Sequence, residues 1–163
     1  MGRRPRIELP GGIYHVIQRG NNRDYIFERS QDKEDFLDFV RLYQEKLGFN
    51  LYAYVIMDNH YHLMLQLADC PLQTTMQRLL SHYVRDYNKK HGRSGYLFGG
   101  RYRSINVLNE GHLFSLLRYI HQNPVAARIR QKISDYPWSS DPIYRKNDRS
   151  HGLVRIDFIL ERL

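Results

Sequence analysis

Two histidines separated by one residue, His60 and His62, stand in the run His60-Tyr-His-Leu-Met-Leu-Gln-Leu67. Along an extended strand successive side chains point to opposite faces. Both imidazoles therefore leave one face, with Cα atoms about 6–7 Å apart, while Tyr61, Leu63, Leu65 and Leu67 leave the other. Two readings fit this pattern. One is a pair of half-exposed strand histidines with no shared ligand; the other is two ligands of one metal ion. Two imidazoles are too few for a closed structural zinc site. They suit a catalytic divalent ion that takes one more protein ligand and keeps positions open for phosphate oxygens.

A second group lies further along the chain. From Asn109 a helical pattern runs to about Gln122, with Leu113, Leu116, Leu117 and Ile120 as its apolar stripe. At about 100° per residue, His112, Tyr119 and Asn123 fall within about 40° of one another on its flank. A tyrosine there is amphipathic packing or a nucleophile, and spacing does not choose. Asn123 precedes Pro124, so the expected arrangement is a break at the proline, with Asn123 capping a short second helix over 124–130.

A third group is basic and aromatic. Around Tyr96, Phe98, Arg101, Tyr102 and Arg103, rings alternate with guanidiniums among three glycines, a combination suited to stacking on bases and holding phosphates of a single strand. An ordinary glycine-rich loop with solvated charges fits too. From Arg93 to Arg149 ten Lys and Arg face four Asp and Glu, so this stretch carries +6 of the chain's net +8. Arg3, Arg4 and Arg6 form another cluster, a DNA-contacting arm or a solubilising tail.

Several elements must position these groups. A strand is expected over Gly12–Arg19. A helix should follow from an N-cap at Ser30 to Gly48, and a hairpin should form from Leu51–Met57 and His60–Leu67, with Asp58-Asn59 in a left-handed tight turn. A long helix should run from about Leu72 to His91, between Pro71 and Gly92. A short strand is expected at Ile105–Leu108, then irregular chain beyond Ile133 and a short amphipathic segment over Ile156–Leu163. Strands from separated segments with helices between them indicate an α+β fold, helices on an antiparallel sheet, with a ferredoxin-like arrangement first.

At 163 residues the chain has the size of one domain: a core over about 7–145, an arm over 1–6 and a C-terminal segment over 146–163. A pI near 9.7 favours polyanionic partners, nucleic acid before membrane. The single cysteine, Cys70, excludes an intrachain disulfide and fits a reducing cytoplasm. No apolar run approaches a membrane span.

Taken together, Gly12-Ile-Tyr-His-Val, Arg19-Gly-Asn, Met57-Asp-Asn-His-Tyr-His-Leu, Gly99-Gly-Arg-Tyr-Arg-Ser, Arg118-Tyr-Ile-His-Gln-Asn-Pro-Val and Tyr136-Pro-Trp-Ser-Ser resemble the REP-associated tyrosine transposases. These are a branch of the single-tyrosine transposases named for a His-hydrophobic-His motif. The resemblance implies the ferredoxin-like nuclease fold, His60 and His62 as metal ligands, Tyr119 as nucleophile and Asn123 as third ligand, with His121 as the alternative. It implies Mg²⁺ or Mn²⁺ as cofactor, and single-stranded or hairpin DNA from palindromic repeats as partner. Arg118 joins the basic residues expected on that DNA. Monomer and dimer both remain open.

Two other functions stay in view. A His-x-His metallohydrolase would use metal-bound water, so Tyr119→Phe would leave its activity intact. A DNA-binding descendant of a transposase would bind without cutting.

Overall fold

The computed structural model describes residues 8–163, so the arm carrying Arg3, Arg4 and Arg6 lies outside the described residues. The main elements are β1 (Ile13–Arg19), α1 (Ser30–Leu47), β2 (Asn50–Ile56), β3 (His60–Gln66), α2 (Leu72–Lys90), β4 (Arg103–Asn106) and α3 (Glu110–Ala126). Two short helices follow, α4 (Asp141–Arg145) and α5 (Asp157–Leu160). The first six elements are β-α-β-β-α-β, and the sheet order is β2-β3-β1-β4 with every neighbouring pair antiparallel. This is the ferredoxin-like α+β arrangement expected from the sequence.

Strand alternation gives the sheet two apolar faces. Val16 of β1 with Tyr61 and Leu63 of β3 pack against Phe36 of α1 and Met76 and Tyr83 of α2. On the other face Val55 and Met64 lie under Leu113, Leu116 and Ile120 of α3, with Ile159 of α5 alongside. The histidine pair belongs to this second face, so β3 is anchored through its Tyr-Leu-Leu side while its imidazoles look toward α3.

Local details differ from expectation for identifiable reasons. Arg29, not Ser30, caps α1, because the Asp32 carboxylate accepts the Arg29 backbone N–H at 2.8 Å. Gly48 ends the helix at φ +76°, the left-handed geometry glycine adopts without penalty. The Asp58-Asn59 turn is not left-handed, since neither residue has positive φ. It is held from outside: Asp58 O accepts from Ile26 N and Phe27 N, Asn59 O accepts from Gly20 N, and Lys33 Nζ lies 2.6 Å from the Asp58 carboxylate. α2 starts at Leu72 as expected, with Pro71 at its N-cap, and the Glu8 carboxylate accepts the N–H groups of Leu72 and Gln73. β4 lies two residues earlier than expected, because its ladder with β1 runs from Ile17↔Arg103 to Tyr14↔Asn106.

The largest correction concerns α3, which continues through Pro124 to Ala126, so no second helix starts there and Asn123 caps nothing. A proline inside a helix costs about 3 kcal/mol. Leu113, Leu116 and Ile120, all buried, contribute roughly 1.5–3 kcal/mol each, which outweighs it. The start of α3 is as expected, with Asn109 Oδ1 accepting from His112 N at 2.8 Å.

The segment after α3 covers the outer edge of β2. Ile56 N donates to Trp138 O at 2.8 Å, Ser140 N to Tyr54 O at 3.0 Å, and Arg155 N to Leu51 O at 2.9 Å. Among the described residues no helix is long and apolar enough to cross a membrane.

Candidate active site

β3 and α3 bring four side chains together. His60 Nε2 lies 3.2 Å from Asn123 Oδ1, and His62 Nε2 lies 3.3 Å from Asn123 Nδ2. One amide thus spans both ring nitrogens, because Asn123, freed of capping, points from the last turns of α3 onto the histidine face. Tyr119, one turn back, sets its ring edge against His62 with centroids 5.4 Å apart, and remains half exposed. The i, i+4 pair and the alternate strand pair therefore meet.

Protonation chemistry shows what this arrangement asks for. His60 Nδ1 is 2.7 Å from Asn59 Oδ1, the shorter of its two contacts with an acceptor, so a ring proton on Nδ1 can donate there. His60 Nε2 then carries a lone pair toward Asn123 Oδ1, another acceptor. A cation between them removes the conflict. His62 Nδ1 is 2.9 Å from His15 Nε2, so His62 too can keep its proton on Nδ1 and present a lone pair at Nε2. Two nitrogens and an amide oxygen converging on one point fit a divalent ion with vacant positions. Among the described residues no group of three or more His, Cys, Asp or Glu side chains could hold a metal ion. The third donor in this set is an amide instead.

The histidines are held neutral. Burial, then the neighbouring His15, His60 and Arg19 charges, lower His62 to about 3. Burial also lowers His60, partly offset by Asn123 Oδ1, an acceptor that favours a proton on the facing ring nitrogen. His15, buried and then opposed by His112 and Arg103, falls to about 4. Lone pairs are therefore available at neutral pH without a proton to displace.

His121, the alternative ligand, is excluded by helix geometry. Two residues beyond Tyr119 it points about 200° away. There its Nε2 lies 2.7 Å from Ser140 Oγ, with the Asp141 carboxylate 3.9 Å from its Nδ1. It secures the C-terminal segment.

The basic and aromatic residues divide between the two faces. Arg103 pairs with Ile17, which pairs with His62, so Arg103 shares the histidine face. Arg118 is exposed beside Tyr119 on α3. Tyr96 (90% exposed), Phe98 and Arg101 instead line a cavity beside α2, on the opposite face. Tyr102 corrects the expectation of a solvent-facing stacking ring, since it is 6% exposed and belongs to the core, reaching only that cavity.

Two residues of this site escape a sequence reading. His15 stacks on His62 at 5.1 Å between centroids and meets Tyr119 edge-on at 6.0 Å. Arg19 pairs with His60 in the β1–β3 ladder. Period-two alternation puts His15, Ile17 and Arg19 on one face of β1, but only the register shows which histidine each one meets.

A helix-borne tyrosine and asparagine facing two strand histidines, on a β-α-β-β-α-β sheet, define the class to which the comparisons point. The model for the family described as "Transposase IS200 like" matches residues 10–123, and the chain belongs to that family. A solved REP-associated tyrosine transposase, bound to a REP hairpin, superimposes with a TM-score of 0.73 at 19% identity, covering 96% of this chain and 90% of that one. A crystal structure of a putative transposase from Deinococcus radiodurans aligns at 17% identity and a TM-score of 0.49, over 74% of this chain and 97% of that one. No curated protein matches the sequence.

Proposed function

We propose that this transposase cuts and rejoins single-stranded DNA at hairpins through a phosphotyrosine link on Tyr119. The observation that carries the reading is the placement of the half-exposed Tyr119 ring against His62, one turn from Asn123. In the step, Tyr119 Oη bonds to phosphorus as the bond from phosphorus to O3′ breaks. The phenol proton passes to water and the released O3′ takes up a proton. The product is a 5′-phosphotyrosine and a free 3′-OH, which can attack later in the reverse sense. His60, His62 and Asn123 would hold Mg²⁺ or Mn²⁺, which when bound supplies charge stabilisation to the phosphate and its leaving oxygen.

The chain's own residues do the rest. His15 fixes the His62 ring. Arg19, Arg103 and Arg118 stand where phosphates flanking the scissile one would pass. α3 packs over β2 and β3, so the β1 and β4 side of this face stays open, with Ile105 42% exposed, as a floor for an extended strand. The family membership, and the hairpin on a protein of the same fold, favour this partner over an RNA or small-molecule substrate.

The test uses labelled DNA hairpins with single-stranded arms, incubated with Mg²⁺ or Mn²⁺ and resolved on denaturing gels. A covalent protein–DNA band and a nicked 3′-OH product are expected from the wild type. Both should be lost in Tyr119→Phe and with chelator, and reduced at least 100-fold in His62→Ala. Cleavage that survives Tyr119→Phe would indicate metal-bound water as nucleophile; tight binding without cleavage would indicate a binding protein.

A further inference from the structure

Tyr119 and Asn123 leave one side of α3, and His121, about 200° round from Tyr119, leaves the other. Beyond Ile120 the buried residues of this helix are His121 and Pro124. Pro124 has no N–H, so the Ile120 carbonyl lacks the donor that would continue the helical ladder. Tyr119 and Asn123 therefore straddle a gap in the hydrogen bonding of α3, past the Leu113 and Leu116 contacts that anchor its first turns.

His121 is gripped by the segment that follows the helix. Its Nε2 lies 2.7 Å from Oγ of the fully buried Ser140, its Nδ1 lies 3.9 Å from the Asp141 carboxylate, and the Tyr144 ring meets it at 5.4 Å between centroids. A proton on Nδ1 faces the carboxylate and leaves Nε2 to accept from the Ser140 hydroxyl, while Ser140 Oγ accepts from Tyr54 N at 3.0 Å. The gripping residues are themselves tied to β2. Tyr136 Oη donates to Ile56 O at 2.5 Å, Ser140 N to Tyr54 O at 3.0 Å and Tyr144 Oη to Tyr52 O at 2.8 Å. β2 is paired with β3, the strand that carries His60 and His62. One chain of contacts thus runs from the histidine strand through β2 and α4 to the far side of α3.

We propose that Ser140 and Asp141, acting through His121, are positioning residues that fix the roll of α3 and so aim Tyr119 and Asn123 at the histidine pair. The inference rests on the tyrosine reading above. Apolar packing of the Leu113, Leu116 and Ile120 stripe is non-directional, whereas a hydrogen bond weakens steeply away from its preferred angle. With side-chain tips about 5–6 Å from the helix axis, a roll of about 20° moves Tyr119 by about 2 Å. A misplacement of about 1 Å can lower a rate about 100-fold. The Tyr136-Pro-Trp-Ser-Ser run, which ends on Ser140, thereby acts on the site from behind α3.

Two readouts test it: amide hydrogen exchange of the free protein, and the single-turnover rate of covalent adduct at saturating hairpin, with hairpin Kd measured alongside. His121→Leu, which leaves the contacts of α4 with β2 in place, should speed exchange over 119–127 about tenfold and leave β1 and β3 unchanged. Its adduct rate should fall about 30–100-fold while hairpin Kd stays within about threefold of wild type. A merely structural residue would lower the folded fraction and leave the rate of the folded protein alone. His121→Gln, whose amide can still bond Ser140 Oγ, should restore the rate to within about threefold of wild type, and adding Ser140→Ala to His121→Leu should cost nothing further. If His121→Leu does not fold, Ser140→Ala carries both readouts with the same expected losses. Wild-type exchange over 119–127 in the folded variant, or an adduct rate within about threefold of wild type, would overturn the proposal. Where the wild type itself forms no covalent band, the tyrosine chemistry fails and exchange alone decides the fastening of α3. A normal band with unchanged exchange sinks the fastening and leaves the chemistry standing.

Discussion

His15 Nε2 lies 2.9 Å from His62 Nδ1, with the two rings stacked. This contact lets His62 keep its proton on Nδ1. A proton on Nδ1 donates to His15 and leaves Nε2 free to ligate; His15 must then hold its own proton on Nδ1. Replacing His15 by Phe keeps a ring against His62 and removes the acceptor. Mn²⁺ affinity, followed by the EPR signal of free ion, should fall about 10–100-fold. His15→Gln, which restores a polar acceptor, should recover most of it. Equal affinity in wild type and His15→Phe would remove His15 from the account.

Asn123 should behave as a ligand and not as a cap. Asn123→Ala should weaken Mn²⁺ binding about tenfold, and Asn123→Asp should strengthen it by a similar factor, because an added charge on an oxygen ligand raises affinity for a hard cation. Helix content by circular dichroism should be unchanged in both. A loss of helicity with no change in metal affinity would restore the capping role.

Much of this was legible in the sequence. Runs of β-branched and aromatic residues between turns located β1 and the hairpin, period-three-to-four runs located α1 and α2, and the motif residues met as their spacing indicated. What was not legible depends on partners distant along the chain. The course of α3 through Pro124 follows from the burial of Leu113, Leu116 and Ile120 against β2 and β3, which outweighs a local helix breaker. β4 was misplaced by two residues because its register is set by β1. The short α4 carries no periodic signal; it is fixed in part by Tyr144 Oη donating to Tyr52 O at 2.8 Å. His15 looked like one residue of a strand until the β1–β3 register put it against His62. Tyr102, adjacent to two arginines, looked solvent-facing and is instead drawn into the core.

Acid should weaken the fold before the carboxylates titrate. Burial holds His15 and His121 at about 4 and His62 at about 3, below the 6.5 of an unfolded chain. As pH falls below 6.5 the unfolded chain takes up these protons first. Stability is thus full above that value and declines toward pH 4, at up to about 1.4 kcal/mol per pH unit for each group. Denaturant unfolding of the metal-free protein at pH 7 and pH 5 measures this. His121→Gln should show a shallower decline; stability that is flat over this window would contradict the burial argument.

Gly20 should not tolerate a side chain. A Cβ there would lie 2.1 Å from the Asp24 carbonyl oxygen and 3.0 Å from Ile26 Cγ2, at the turn that carries the glycine-rich loop. Gly20→Ala should cost about 3 kcal/mol or more, because the clash is with backbone. Gly100→Ala, with nothing within 4 Å of its Cβ, should stay within about 0.5 kcal/mol of wild type. Thermal melts of the two variants make the comparison, and similar losses in both would indicate that the turn yields.

The most direct test of the central claim is the identity of the residue that carries DNA after cleavage. Digestion of the covalent adduct with trypsin and nuclease should leave a nucleotide 5′-phosphate on the peptide Tyr119-Ile-His-Gln-Asn-Pro-Val-Ala-Ala-Arg128, which contains one tyrosine. Mass spectrometry should find the added mass there and fragment it to Tyr119. The modification on a peptide from elsewhere in the chain, or a cleaved strand with no adduct at any time point, would contradict it.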